Sequence, residues 1–401
     1  MISVRDAQAQ VLARITTIAS PEIVPLAAAL GRVLAEDVRA EMDVPPTDNS
    51  AVDGYAVASA DIPATGTRAP FDVAAELAAG AVFSGTLRSG QTLRIMTGAP
   101  MPAGADTVYP QEVVAREGAR ITVGSIAPGA NRRLRGEDVR AGQIVLPAGS
   151  VLRPQEIGVA ASLGLAQLYV RQKPRVAVLS TGDEVAEPGS SRKPGQIYDS
   201  NRFSLRGLLE ASGAEMVDDG IVPDQLDELR ARLLRASEHA DIVLTSGGVS
   251  VGDHDLVKAV LQQAGGIDFW QVAMQPGRPM AVGSIGRAHF FGLPGNPVAS
   301  MLTFHLFVRP ALWKLARRRE LFVTPFRAVA TERMSKKTGR REFKRGILTF
   351  GPDGWEVRTT GPQGSGILTS MTAANCFVVI EEERGDVGAG EPVWVEPFTP
   401  W

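Results

Sequence analysis

Residues 241–255 read DIVLTSGGVSVGDHD, and their order fixes the architecture around them. Asp241 to Leu244 forms a short apolar run, Gly247 and Gly248 allow a sharp turn with exposed backbone N–H groups, and Asp253 and Asp255 follow at a helix start. The glycines let successive amides point into one cavity, and the hydroxyls of Thr245, Ser246 and Ser250 add donors for a phosphate or oxyanion. Carboxylates repel such an anion unless a cation sits between them, so Asp253 and Asp255 point to Mg2+, which takes one or two carboxylates plus substrate oxygens. The other reading is structural: a strand-to-helix turn with Asp253 as the helix cap.

Outward from this loop, the chain after Pro174 alternates strand and helix. Apolar runs at 175–180, 214–222, 241–245, 267–273 and 288–293 are separated by helix-like segments. That rhythm predicts a doubly wound, parallel α/β domain, in which ligands bind beyond the carboxyl ends of the strands. The loops at 180–184, 245–255 and 293–297 all fall at such ends.

The flanks have a different texture. Val4, Ala7, Val11, Leu12, Ile15 and Ile18 recur at helical spacing and predict an opening amphipathic helix. From about residue 45 to 150, short apolar runs broken by Gly and Pro predict a mostly β region. Beyond the basic run 317–319, alternation and β-branched residues predict a small β domain.

With 401 residues, the chain is long enough for two to four domains of about 100–200 residues each. Its 42 basic and 44 acidic residues give a net charge of −2, which gives no support to nucleic acid or an anionic membrane as main partner. The single cysteine, Cys376, has no partner within the chain, which suits a reducing compartment. No apolar run reaches the roughly 20 residues of a membrane helix, and the N-terminus lacks a signal pattern. The expectation is a cytoplasmic protein. His239, His254, His289 and His305 are too scattered to propose a zinc site.

Several further motifs have a chemical and a structural reading. In STGDEV (180–185), Asp183 and Glu184 can hold a metal or a ribose hydroxyl, or be solvated loop acids. In IYDSN (197–201), Asp199 or Asn201 can be an ordinary helix cap. In LPGNPVAS (293–300), Asn296 and Pro297 look like a cap followed by proline at the first helical position. Arg278 sits in a Pro-Gly turn, where its fork can clamp an oxyanion. Arg341, Lys344 and Arg345 precede the Gly364-Ser365-Gly366 turn, again an anion site or a plain β-turn. Asp48 and Asp53 bracket a turn in DNSAVDGYAV (48–57), and NRRLRGEDV (131–139) is a mixed charge run.

Taken in order, nine strings resemble the molybdopterin molybdenumtransferase family, whose relatives include the gephyrin-type proteins. They are DNSAVDGYAV (48–57), RIMTGAPMPAGAD (94–106), RGED (135–138), STGDEV (180–185), IYDSN (197–201), TSGGVSVGDHD (245–255), FGLPGNPV (291–298), EFKRG (342–346) and GSGILTS (364–370). They span nearly the whole chain.

The resemblance implies a multidomain α/β plus β homodimer. Its parts would be a discontinuous helical and strand linker domain (1–45 and 145–172), an elongated β domain (46–144), a molybdopterin-binding α/β domain (173–318) and a C-terminal β-barrel (319–401). It implies an enzyme of the last step of molybdenum cofactor assembly, which inserts molybdenum from molybdate into adenylylated molybdopterin and releases AMP, with Mg2+ as cofactor. Its implied partners are the upstream adenylylating enzyme and the apo-molybdoenzymes. By resemblance, Glu184, Asp224 and Asp255 belong to the pterin and metal pocket, Glu184 and Asp255 as metal ligands, with Pro294 and Pro297 shaping it. Asp53, Thr97 and Asp138 come from the β domain of the other subunit. Ser250, Gln275, Arg278, Arg345 and Ser365 form the molybdate and substrate site.

The chain departs from the family pattern where lysines often follow the Phe-Trp pair and precede the Pro-Gly turn. It has Gln271 and Gln275 there, and Arg278 rather than lysine after the turn. Glutamine donates hydrogen bonds but supplies no charge, so two cationic contacts are missing. A paralogue with altered substrate or anion, a non-catalytic scaffold and a nucleotide-adenylating enzyme are the alternatives. The acids at 183, 184, 253 and 255 argue against the scaffold, and the flanking β domains against the adenylating enzyme.

Overall fold

A computed structural model describes residues 1–16, 20–77, 80–247 and 266–398. Its centre is a six-stranded sheet in the order Glu215–Val222, Arg175–Thr181, Ile242–Ser246, Ala288–Leu293, Pro279–Ile285, Asp268–Gln271. The first four strands are parallel. Arg175–Thr181 is buried at six successive positions, the unbroken apolar pattern of a strand covered on both faces. Alternate residues serve opposite layers. Val176, Val178, Ile242 and Leu244 meet Leu205 and Leu209 of the helix Asn201–Ala211. Ala177, Leu179 and Val243 meet Leu229, Leu233 and Ala236 of the helix Leu226–His239.

The parallel expectation holds for those four strands and fails for the last two, which are antiparallel to their neighbours. The cause is local. Pro279–Ile285 and Ala288–Leu293 are joined by Gly286 and Arg287 alone, and a two-residue link joins only antiparallel strands. Gly286 takes the positive φ, 55°, that this turn needs.

The opening helix spans Val4–Arg14, with Ser3 Oγ accepting from the Asp6 N–H at 3.1 Å. Its apolar face, Val4, Ala7 and Val11, joins the core of the α/β layer beside Phe304 and Leu306; Ile18 lies outside the described residues. Segments far apart in sequence then combine. Pro21–Pro25 pairs with Gln167–Arg171 and Val38–Arg39 with Ile144–Leu146, over a small core of Leu34, Leu152 and Ala160. Between them runs a curled sheet in the order Thr107–Pro110, Gly54–Val57, Gln91–Ile95, Ala69–Glu76, Arg120–Val123, Ala115–Glu117.

The C-terminal part is a closed five-stranded barrel. Phe326–Ala330, Arg341–Gly351, Gly354–Thr359, Cys376–Ile380 and Pro392–Pro397 pair in a ring, because Arg341–Gly351 bonds both Gly354–Thr359 and Cys376–Ile380. Met274–Gln275 adds a two-residue parallel pairing to Arg341 and Glu342, so the chain leaving the central sheet is stitched to the barrel.

Candidate active site at the strand ends

The register of the parallel strands places Thr181, Val222, Ser246 and Leu293 at one edge of the sheet. In the sheet order the strand that follows Arg175–Thr181 in the central sheet, Glu215–Val222, lies on one side of it, whereas the next described strand after Ile242–Ser246, Asp268–Gln271, lies on the other. The crevice where the order reverses therefore opens between Thr181 and Ser246, the usual ligand position in such folds. A cavity of about 360 Å³ sits there, lined among others by Ser180, Thr181, Glu184, Asn201, Ser246 and Pro297.

Close approach of the loops explains the glycines. A Cβ at Gly247, whose φ is +95°, would stand 3.2 Å from both the carbonyl and the hydroxyl oxygen of Thr181. Its N–H donates to the Leu293 carbonyl at 3.1 Å, which closes the loop onto the neighbouring strand end. Asn201 ties two loops together: Nδ2 donates to Ser246 Oγ at 2.8 Å and to the Gly295 carbonyl at 2.7 Å. Asp199 fulfils the capping role instead, accepting from the Arg202 N–H at 3.1 Å. Asn296 is the cap residue of the helix Pro297–Thr303, with proline at the first turn as expected, although its side chain makes no capping bond. Ser180 Oγ is buried without a partner among the described residues and lies in the cavity wall, where a polar ligand can satisfy it.

Acids crowd the rim. The turn at Gly182 presents Asp183 and Glu184, and the Asp224 N–H donates to Asp183 Oδ1 at 3.2 Å. Burial, then the charges of Asp183 and Glu184, raise the Asp224 carboxyl above the ordinary carboxylate value. The φ of +127° at Gly182 favours glycine, and a Cβ there would also displace the Glu184 carboxylate, whose Oε2 would lie 2.4 Å away. Hard oxygen donors whose mutual repulsion a cation relieves fit Mg2+. Among the described residues no group of three or more acids, histidines or cysteines converges on a metal position. Ser250, Asp253 and Asp255 lie outside the described residues.

The barrel reaches the same rim. Arg345 is 1% exposed, and its guanidinium donates to Ser370 Oγ at 3.0 Å and to the carbonyls of Gln363, Pro362 and Gly364 at 3.1, 3.4 and 3.0 Å. It thereby shapes the loop carrying Ser365, whose carbonyl accepts from the Val298 N–H at 3.1 Å; Gly366 of that loop lines the cavity. The other cations of that motif are also engaged, Arg341 with Glu382 at 3.1 Å and Lys344 with Glu342 at 2.6 Å. Gln275 and Arg278 are exposed beside the stitch to the barrel, and Gln271 is half-buried. Pro294 is buried and, unlike Gly295, Asn296 and Pro297, does not line the cavity.

Asp53, Thr97 and Asp138 do not line this cavity. Asp53 Oδ1 accepts from both the N–H and the hydroxyl of Thr97 at 2.7 Å. These bonds, in that order, hold Asp53 below the usual carboxylate range, with Arg94 adding to the effect. Asp138 is exposed on a separate open depression with Val44, Asn49 and Glu137. All three belong to the N-terminal β part of the chain. Asn201, Asp183 and Ser180 are additional members of the strand-end site; their signal was position, each falling one to three residues from a strand end or helix start.

Comparison with known proteins agrees with this arrangement. The model of the MoeA N-terminal region, domains I and II, matches residues 2–164, that of a probable molybdopterin binding domain residues 177–314, and that of the MoeA C-terminal region, domain IV, residues 327–398. The chain is 41% identical over 402 residues to a molybdopterin molybdenumtransferase of Haemophilus influenzae, covering 99% of each. It is 38% identical over 410 residues to molybdopterin molybdenumtransferase 2 of Mycobacterium tuberculosis, covering all of both. The crystal structure of a molybdopterin biosynthesis MoeA protein from Pyrococcus horikoshii superposes with a TM-score of 0.87 at 33% identity, over 99% of this chain and 100% of that one. With matches that run from end to end, the chain belongs to the molybdopterin molybdenumtransferase (MoeA) family.

Proposed function

We propose that this chain transfers molybdenum from molybdate into molybdopterin, with adenylylated molybdopterin as substrate and AMP as second product. The observation that carries the reading is the cleft between Thr181 and Ser246, where hydroxyls, a glycine turn and crowded carboxylates meet within a family whose curated members are named for this transfer.

The residues divide the work by chemistry. Ser180, Thr181 and Ser246 offer hydroxyls to the pterin and its phosphate. Asn201 fixes the spacing of the two loops that face each other, so the ligand meets a preorganised wall. Ser365 and Arg278 supply a hydroxyl and a guanidinium suited to a tetrahedral dianion, with Gln275 and Ser250 as hydrogen-bond donors and Arg345 holding the Ser365 loop in place. Glu184 and Asp255 would hold Mg2+, with Asp224 beside them; when bound, the ion neutralises charge on the phosphoanhydride as it is cleaved. Pro294 and Pro297 stiffen the wall. No histidine lines the cavity among the described residues. Asp53, Thr97 and Asp138 would close the cleft from a second copy in a homodimer.

Such a reaction suits a cytoplasmic protein that works between an upstream adenylylating enzyme and the apo-molybdoenzymes that take the product. No helix among the described residues is long and apolar enough to cross a membrane. The test is to incubate the purified protein with adenylylated molybdopterin and Mg2+, titrate molybdate, and measure AMP and cofactor together. Saturable, molybdate-dependent formation of both is expected; AMP release that ignores molybdate, or none, overturns the reading.

A further inference from the structure

The central sheet has a second cavity, at the edge opposite the cleft. It occupies about 520 Å³ where Pro174 precedes the strand Arg175–Thr181 and Gly213 precedes the strand Glu215–Val222. Its other walls come from the linker strands and from the segment that follows the helix Arg309–Leu315. Six cations line it: Arg32, Arg153, Arg171, Lys173, Arg318 and Arg319. Among the described residues, two carboxylates, Glu156 and Glu320, do so.

The charges are unequal in their commitments. Arg153 is paired with Glu156 at 2.6 Å, and Arg32 with Glu22 outside the lining. Lys173, Arg318 and Arg319 make no side-chain hydrogen bond or ion pair among the described residues, and Arg318 Nε is buried without a partner. The backbone holds this basic run in place. Arg317 N–H donates to the Lys314 carbonyl and Arg318 N–H to the Trp313 carbonyl, both at 2.9 Å. With Arg317 at a φ of 54°, this is the helix-terminating pattern usually reserved for glycine. The Arg319 N–H then donates to the Gly149 carbonyl at 3.1 Å. A Cβ at Gly149 would stand 2.8 Å from the Arg317 carbonyl oxygen, so linker and basic run touch backbone to backbone. The Arg318 guanidinium carbon lies over Trp313, 3.8 Å from the ring centre.

Fixed, unpaired guanidinium groups around a small-molecule-sized cavity are the means by which proteins bind phosphate oxygens. Burial lowers the Arg318 pKa, with the nearby charge of Glu320 opposing the shift.

We propose that this cavity is a binding site for a phosphate-bearing small molecule, separate from the strand-end cleft and bridging the linker to the α/β layer. Free orthophosphate and the phosphate of a nucleotide share the recognising chemistry.

The test is calorimetric titration of the full chain at fixed ionic strength with orthophosphate and, in parallel, with a nucleoside monophosphate. Lys173 and Arg319 are exposed, so the double variant Lys173→Gln/Arg319→Gln keeps the fold. It is expected to weaken orthophosphate binding about 10- to 100-fold, the range for lost charge-assisted bonds. Ser365→Ala, at the strand-end site, is expected to leave that binding unchanged. Arg318→Met, which retains the packing on Trp313, should act like the double variant. A nucleotide that binds at least tenfold tighter than orthophosphate and loses that advantage in the double variant identifies a nucleotide site; equal affinity identifies a free-phosphate site. The proposal is overturned if the wild type binds no orthophosphate, if the double variant binds it as the wild type does, or if Ser365→Ala alone removes the binding.

Discussion

Replacing Arg345 with lysine separates two roles that charge alone would confuse. In the structure the guanidinium makes four hydrogen bonds, to Ser370 Oγ and to the carbonyls of Pro362, Gln363 and Gly364. A lysine ammonium keeps the charge, but as a compact point donor it cannot span that set. Two or three bonds are lost. Each is worth about 0.5–1.5 kcal/mol net, more where a buried acceptor is left without a partner, which gives about 2–4 kcal/mol in all. That energy holds the 361–370 loop, and the loop is tied to the site through the Val298 N–H and the Ser365 carbonyl. Amide hydrogen exchange at Val298 and across 367–371 should therefore speed up by roughly 30- to 1,000-fold, since each 1.4 kcal/mol is tenfold. The molybdate KM should rise as Ser365 loses its fixed position. If Arg345→Lys keeps wild-type protection and wild-type molybdate dependence, the positive charge is what matters and the loop-holding argument is wrong.

Glu184→Gln removes a metal-seeking oxygen charge at the cleft and should cut turnover by about 100-fold or more, with circular dichroism and melting temperature unchanged; activity within twofold of wild type would sink its assigned role. Gly182→Ala puts a Cβ into the Glu184 carboxylate at an unfavourable φ, so it should lower turnover and destabilise by about 1–3 kcal/mol, read by steady-state kinetics and thermal unfolding. Asp224 has a folded-state pKa raised above its unfolded value of 3.8, by burial and then by Asp183 and Glu184. Its contribution to stability is thus fully present at low pH and is lost as pH rises through the raised value. In metal-free protein, Asp224→Asn should therefore melt higher than wild type near pH 7 and converge with it near pH 3; equal melting temperatures at both pH values would refute the crowding argument.

The central sheet was legible because strands covered on both faces leave continuous apolar runs, and 175–181, 242–246 and 288–293 are of that kind, whereas the edge strand 215–222 keeps only the short runs around its acids. Pro279–Ile285 was missed because PMAVGSI opens on proline and contains Gly283 and Ser284, which read as a turn. The stretch from 268 to 275 carries two fates that composition does not distinguish. Asp268–Gln271 stays in the sheet, whereas Met274–Gln275 joins the barrel. At the site, the strand-end loops could be located from their glycines and acids. The bond set of Arg345 could not, because three of its four acceptors are backbone carbonyls 17 to 19 residues away, and carbonyls leave no mark on a sequence. Asn201 was hidden for the opposite reason, since a helix cap already accounts for an asparagine at a helix start.

The chain enters the curled sheet and its adjoining loops near Val44 and leaves near Val139, where the Val44 N–H donates to the Val139 carbonyl at 2.8 Å and the Val139 N–H to the Val44 carbonyl at 3.1 Å. Entrance and exit thus touch. Topologically, everything between them is one long excursion from a closed neck, and the entropy of closing such an excursion grows only slowly with its length. The region can therefore be lengthened, exchanged with that of a relative, or replaced by a short turn without altering the path of Pro21–Pro25 against Gln167–Arg171. For protein engineering, the neck is a natural splice point: chimeras cut at 44 and 139 can graft the β part of one family member onto the cleft and barrel of another.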